Sequence, residues 1–263
     1  RRSLKEGDLF SLAFRFCVQV GFWSMKPLCG SFGIKKRYDV AISFRPGICE
    51  EIALNVISAT KKITWWHHGN FEVGIPKAKL ISNWRKFDNI VTVSEGIAAK
   101  IKELSDKLTN KVTVIPNIID IDDIRIKAAE TLPYDFSTNL KIVTVSRLSK
   151  EKNLSQIIDV ALALSKREVA YEWHILGDGD MRAHLENEIK KANLTERILI
   201  HGQKENPYPW IKYADMMVHP STVESFGIVL LEAMALGTPC ISCPSIGALD
   251  LIDGSNGLIA DGG

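Results

Sequence analysis

The feature that most constrains this chain is a repeated alternation of short apolar strands with helical stretches. The segments "YDVAISF" (Tyr38–Phe44) and "KITWWHH" (Lys62–His68) read as short buried strands separated by a helix-like "GICEEIALNVISA". "NIVTVS" (Asn89–Ser94), a helix from Glu95 to about Leu108 and "KVTVIPN" (Lys111–Asn117) continue the rhythm. It breaks at the turn-rich "TLPYDFSTN" (Thr131–Asn139) and restarts with "LKIVTVS", "YEWHILG", "RILIHG", "MMVHPS" and "PCISCP". The helix after "LKIVTVS" is predicted to open at Asn153 as an N-cap, with Gln156 three residues on completing a capping box. Its apolar positions Leu154, Ile157, Ile158, Ala161 and Leu162 follow the helical i, i+3, i+4, i+7, i+8 stripe. Alternation of this kind implies parallel sheets with helices on both faces. The break predicts two Rossmann-like α/β domains, residues 1–135 and 136–263, a division that 263 residues can support.

Composition removes several classes. The 46% apolar and 24% charged fractions are those of a water-exposed globular protein, and a net charge of +2 offers nucleic acid no overall attraction. The cysteines Cys17, Cys29, Cys49, Cys240 and Cys243 are odd in number and scattered, which suits a reducing, cytoplasmic location rather than a disulfide framework. Cys240 and Cys243 have the spacing of a metal or redox pair, but strand positions three apart face opposite sides. No segment reaches the ~18–20 apolar residues of a membrane-spanning helix. Residues 1–62 hold eleven Lys/Arg against five Asp/Glu, and Leu9–Trp23 is strongly apolar. Such a segment suits either peripheral contact with the anionic inner face of a membrane or a core-facing helix followed by a solvated basic loop. The opening "RRSLKEG" lacks an initiator methionine and reads as a cut rather than a beginning. "LGDGDMR" places Gly177 and Gly179 at a strand end but has Arg182 where a dinucleotide fingerprint needs its third glycine. Neither a Walker A sequence nor His-Glu-x-x-His is present.

The chemistry concentrates in "ESFGIVLLEAMALGTPC", Glu224 to Cys240. From Ile228 to Leu236 every residue except Glu232 is apolar. A helix apolar all round is normally buried, and an ionised carboxylate buried without a partner is costly. Glu232 therefore reads either as a structural partner of an arginine or as the holder of a ligand, and a diol such as ribose suits a carboxylate among apolar neighbours. Gly227 at the helix mouth lets an anion approach exposed N–H groups, and Glu232 lies roughly 8 Å further along the axis. A second cluster, "SRLSKEKN" (Ser146–Asn153), puts Arg147 and Lys152 in a strand-to-helix loop. Ligands of doubly wound sheets bind outside the carboxyl ends of strands. Two cations there suit a diphosphate, Arg147 by bidentate contact and Lys152 as a point charge.

Glu224 and Glu232 form a Glu-x₇-Glu pair, and "SRLSKEKN" is similar to the Arg-Leu-x-x-x-Lys loop that accompanies such pairs. With "FDNIVTVSEGIAAKI", "VIPNIID", "ILGDGD", "KENPYPWIKYADMMVHPSTVESFG" and "LEAMALGTPCIS" in the same order, residues 38–263 resemble retaining, nucleotide-sugar-dependent glycosyltransferases of the GT-B fold, family 4 (glycosyl transferases group 1). The resemblance implies two Rossmann-like domains facing a cleft, the second binding the sugar nucleotide and the first the acceptor. It implies that Glu224 meets the transferred sugar, Glu232 the ribose diol, and Arg147 with Lys152 the diphosphate. It places the backbone of Ser225, Phe226, Gly227 and Ile228 on sugar and phosphate, and Gly177, Gly179, Gln203 and Asn206 around the base. It makes His67, rather than His68, the histidine near the donor sugar, while His174, His184, His201 and His219 read as structural or exposed. It implies no metal and no cofactor beyond the co-substrate. Two departures accompany it: nothing before Tyr38 resembles the family's first strand and glycine loop, and the chain stops at "LIADGG" before its closing helices, so it reads as truncated at both ends. The expected reaction moves a hexosyl group, most often from a UDP-sugar, to a cell-surface glycan or lipid-linked acceptor. A catalytically inactive sugar-nucleotide-binding module or partner subunit, and a GT-B epimerase or phosphorylase, are the alternative readings.

Overall fold

The computed structural model describes residues 36–69, 71, 75–132, 134–136 and 140–260. The apolar segment Leu9–Trp23, with Cys17, and Cys29 lie outside the described residues. The described residues form two compact units. The first comprises residues 36–67, 71, 75–92 and 98–115, and the second 68–69, 93–97 and the residues from Pro116 onward.

In the first unit, β1 (Arg37–Ser43), α1 (Ile48–Asn55), β2 (Ser58–Trp66), α2 (Lys77–Trp84), β3 (Asn89–Thr92), α3 (Glu95–Leu104, of which the part from Ala98 belongs to this unit) and β4 (Val112–Val114) follow in turn. The four strands pair in parallel in sequence order, with Ile42 beside Ile63, Thr64 beside Ile90 and Ile90 beside Val112. Trp66, Leu80, Trp84, Phe87 and Ile90 are fully buried, the two tryptophans edge to face at 5.1 Å. The expectation of a buried first strand is not met: among the described residues β1 is the outer strand, paired with β2, and Tyr38, Val40 and Ile42, which share one face of it, are exposed.

The same unit buries one carboxyl completely. Glu50, on α1, accepts hydrogen bonds through Oε1 from Trp84 Nε1 (2.9 Å) and Thr64 Oγ1 (3.0 Å), while its buried Oε2 has no partner. Burial pushes its acidity toward the neutral form, against the opposing pull of those hydrogen bonds. A carboxyl whose folded-state pKa is raised costs nothing below its unfolded value; the cost grows as the pH rises from that value to the raised one and is complete above it. Glu50→Gln keeps an acceptor for Trp84 and Thr64 without the charge. It is expected to be more stable than wild type by about 1–3 kcal/mol at pH 8, with the gap closing toward pH 4. Thermal unfolding across that range checks this, and a variant less stable at every pH would show that Glu50 is ionised and paired.

The second unit contains α4 (Ile121–Lys127), β5 (Leu140–Val145), α5 (Gln156–Lys166), β6 (Tyr171–Leu176), α6 (Arg182–Lys191), β7 (Ile198–Ile200), α7 (Tyr208–Tyr213), β8 (Met216–His219), α8 (Ile228–Ala235), β9 (Cys240–Ser242), α9 (Ile246–Leu251) and β10 (Gly257–Ile259). Its six strands are all parallel, in the order β10-β9-β8-β5-β6-β7. Numbered from β5, this is the Rossmann order 3-2-1-4-5-6 read from the far edge. Ile157, Ile158, Leu185 and Ile189 of α5 and α6 pack with Ile142 and Trp173 in one core layer. Trp210, Ile211, Leu230, Ala233 and Ala248 of α7, α8 and α9 join Val143 and Met217 in another. Two parallel-sheet Rossmann-like units, as the alternation predicted, are therefore present. The short β10 was not anticipated, since three residues are too few to show a period.

The predicted capping box does not form. Asn153 adopts a left-handed conformation (φ 51°) that closes a tight 3₁₀ turn over Lys150–Lys152, and α5 begins later, at Gln156. The Asn153 side chain consequently meets the Gln156 side chain (3.0 Å) rather than a helix N–H.

Candidate functional site

Strand order sets the site. The sheet reverses direction of growth between β5 and β8, which are hydrogen-bonded neighbours. The connections leaving the carboxyl ends of these two strands, residues 146–155 and 220–227, therefore lie side by side at the place where ligands of such sheets bind, joined by Lys152–Glu224 and by Ser221 Oγ donating to Glu151 O. These are the two segments that carry Arg147, Lys152, Glu224 and the mouth of α8.

Lys152 and Glu224, 72 residues apart, form the central contact: Lys152 Nζ donates to Glu224 Oε2 at 2.7 Å, with both side chains largely buried. Glu224 Oε1 accepts from its neighbour's N–H, Ser225 N, at 3.2 Å. His219, the last residue of β8, brings Nε2 to 3.3 Å from Glu224 Oε2, at an angle outside hydrogen-bonding geometry. Burial alone would raise the Glu224 carboxyl, yet the His219 imidazole and the Lys152 ammonium outweigh it and hold the group down at about 2. Lys152 is the contact that meets hydrogen-bond geometry, so the carboxylate's charge rests chiefly on it. An ammonium has three donors, so holding Glu224 leaves two for an anionic ligand.

Arg147 behaves differently from Lys152. Its side chain is 77% exposed and reaches Glu151 at 3.6 Å, the weak geometry of a surface pair. Gly177 and Gly179 lie directly against this loop: a Cβ on Gly177 (φ 143°) would sit 1.8 Å from the Ser146 carbonyl oxygen, and one on Gly179 2.4 Å from that of Leu148. Leu148 N–H donates to Asp178 O and Met181 N–H to Leu148 O, so the two glycines let the β6 turn clamp the loop after β5.

Gly227, left-handed at φ 83°, is the N-cap of α8, and Phe226 before it is buried. The first N–H groups of the helix have no intrahelical acceptor and open toward the carboxyl ends of the strands. Gly237 (φ 77°) closes the other end, with Thr238 N–H donating to Ala233 O and Gly237 N–H to Met234 O. The expectation that α8 is buried on every side fails. Ile228 is 46% exposed, and only Leu230 and Ala233 are fully buried, because one side of the helix covers the sheet.

Glu232 projects half-buried from α8, and it is met by a hydroxyl rather than an arginine: Tyr208 Oη donates to Glu232 Oε1 at 3.1 Å. Among the described residues it makes no ion pair. Burial raises the Glu232 carboxyl against the opposing effect of Tyr208, and burial together with Glu232 pushes the Tyr208 phenol up to about 12. Asn206 joins two helix ends, donating to Lys127 O at 2.9 Å and accepting from Tyr208 N–H at 3.2 Å, while Gln203 is exposed. His67 belongs to the first unit, at the end of β2, where its ring stacks at 5.8 Å on Trp65 and 6.1 Å on Phe44. Cys240 and Cys243 are free, buried thiols, the former pushed up to about 12 by burial and the latter donating to Gln156 Oε1, so neither is reactive. Among the described residues no group of His, Cys, Asp and Glu side chains is disposed to hold a metal ion, and no helix is long and apolar enough to cross a membrane.

Two site neighbours escaped the sequence. His219 read as structural or exposed, although a polar residue ending a buried strand at the sheet's switch point is a signal that could have found it. Tyr208 lay within a quoted stretch without being singled out.

Residues 134–263 match the family model described as glycosyl transferases group 1, so the second unit carries the sequence pattern of that class. The N-acetyl-alpha-D-glucosaminyl L-malate synthase of Bacillus anthracis is 28% identical over 226 residues, 82% of this chain and 58% of the relative. The lipopolysaccharide core biosynthesis glycosyltransferase LpsE of Rhizobium meliloti is 29% identical over 183 residues, 69% of this chain and 52% of the relative. In fold, the chain is similar to Anabaena HepE, solved in complex with UDP, with a TM-score of 0.64 at 21% identity over 76% of this chain and 58% of that one. The chain thus spans little more than half the length of these relatives.

Proposed function

We propose that this chain acts as a retaining hexosyltransferase that takes its sugar from a UDP-sugar and passes it to a cell-surface glycan or lipid-linked acceptor. The observation that carries the reading is the Lys152–Glu224 pair at the switch point of a Rossmann-ordered sheet, beside a glycine-capped helix mouth, in a segment that matches glycosyl transferases group 1. The UDP in the HepE complex and the surface-glycan role in the name of LpsE favour the donor base and the acceptor class.

In this reading the diphosphate lies between the N–H groups of Gly227 and Ile228 and the cations Lys152 and Arg147. Glu224 accepts from hydroxyls of the transferred sugar, and Glu232 from the ribose diol. Gly177, Gly179, Gln203 and Asn206 flank the base. Transfer breaks the bond between the anomeric carbon and the diphosphate oxygen and forms one to an acceptor hydroxyl. Negative charge grows on the departing UDP, and Lys152 and Arg147 stabilise it where a metal ion would otherwise act. Calorimetry with UDP and GDP in a buffer containing EDTA is the direct test. UDP is expected to bind without added metal and more tightly than GDP. Binding of neither nucleotide would sink the donor-site reading, and binding only after magnesium or manganese is restored would sink its metal independence.

A further inference from the structure

Among the buried polar groups of the second unit, His219 is anomalous. It ends β8, is 2% exposed, and its Nε2 has no hydrogen-bond partner although burial makes an unpaired polar atom costly. Its backbone is fixed: the carbonyl oxygen accepts from Ser242 Oγ and from Cys243 N–H, both at 3.1 Å, tying the strand end to β9. From that fixed backbone the imidazole stands beside Glu224 Oε2, 3.3 Å away and off the hydrogen-bond axis. We propose that His219 is a positioning residue for Glu224, holding one carboxylate oxygen so that the other faces the hydroxyls of the transferred sugar. This rests on the reading above that Glu224 meets that sugar.

The geometry divides the carboxylate in two. Oε2 takes Lys152 at 2.7 Å and faces His219, whereas the contact on Oε1 is the Ser225 N–H at 3.2 Å. Nε2 must carry a proton, because a bare nitrogen lone pair directed at a carboxylate is repulsive. The last torsion of a glutamate side chain is soft, so a small rotation brings Oε2 into line with that N–H. With two donors converging on Oε2, the carboxylate cannot swing, and Oε1 is presented in a fixed orientation. The charged groups that face the imidazole are Glu224 and, across that carboxylate, Lys152. His219 does not touch the ligand; it acts through Glu224.

Two measurements test this. The first needs no ligand: nitrogen-15 NMR of the histidines at one fixed pH in wild type and Glu224→Gln, with His219 assigned from His219→Gln. Removing the adjacent carboxylate is expected to move the His219 Nε2 resonance. An unmoved Nε2 resonance would overturn the pairing. The second uses kinetics of the intact enzyme with UDP-hexoses. His219→Leu, which has no N–H, is expected to lower kcat roughly 10–100-fold with UDP affinity unchanged. His219→Gln, whose amide can place an N–H where Nε2 stood, is expected to recover most of that loss. Equal losses in both variants accompanied by a fall in Tm would assign His219 a packing role only, and wild-type kinetics in His219→Leu would overturn the proposal. Failure of wild-type protein to bind UDP would count against the donor reading alone, since the NMR comparison judges the His219–Glu224 pair without it.

Discussion

Replacing Lys152 by alanine is expected to cut sugar transfer roughly 100–1,000-fold, the cost of deleting one preorganised donor to charge that develops in the transition state. The affinity for the sugar nucleotide should fall far less. The ground-state diphosphate is already ionised and has other donors at the mouth of α8, whereas the additional charge on the leaving group appears only as the glycosidic bond breaks. The structure sharpens the expectation by separating the two cations. Lys152 is 13% exposed and bound to Glu224 at 2.7 Å, so its loss also leaves a largely buried carboxylate with the Ser225 N–H and the off-axis His219 but no cation in hydrogen-bond geometry. Arg147 is 77% exposed with a 3.6 Å surface partner, so Arg147→Ala should act in the same direction with less disturbance of the free protein. Steady-state kcat and KM, read from UDP release, check both. A Lys152→Ala enzyme whose loss lay wholly in KM would mean that Lys152 binds substrate and transition state alike.

Glu232→Gln is expected to weaken UDP binding by about 1–3 kcal/mol, the scale of a charge-assisted hydrogen bond lost or left unpaired. The fold should not suffer. The contact that holds Glu232 is the Tyr208 hydroxyl, which an amide oxygen accepts equally well. Burial raises the Glu232 carboxyl, so it costs stability that grows as the pH rises above its unfolded value and is complete above the raised one, and the neutral amide removes this cost. The variant should therefore melt at the wild-type temperature or above it near pH 8 while binding UDP more weakly. Opposite signs in the two measurements are the signature of a residue kept for a ligand. Unchanged UDP affinity with a lowered Tm would instead mark Glu232 as structural.

Much of this architecture could be read from the chain alone. Strands found at Asn89–Thr92, Leu140–Val145, Tyr171–Leu176 and Met216–His219 lie within the predicted segments to one or two residues. A strand or helix declares itself through the period with which its own side chains meet a core, and that period is local. Arg147, Lys152, Glu224 and Glu232 were legible for a related reason: polar residues interrupting apolar runs, or following a strand directly, stand out against a pattern that does not need them. The same locality explains the misses. β1 carries the residues of a buried strand yet lies at a sheet edge, and Asn153 carries the residue type of a helix cap yet adopts a left-handed turn conformation.

What only the tertiary structure decided is which distant residues meet. The period of β8 marks it as a strand but does not say that it lies beside β5 rather than β7, and that choice sets the two site loops side by side. It brings Lys152 to Glu224 across 72 residues, turns His219 toward the same carboxylate, and gives Glu232 a tyrosine 24 residues earlier instead of an arginine. Such pairings depend on sheet order and on the directions in which loops leave their strands. Both are settled by the simultaneous burial of every element, a constraint that no single segment of sequence contains.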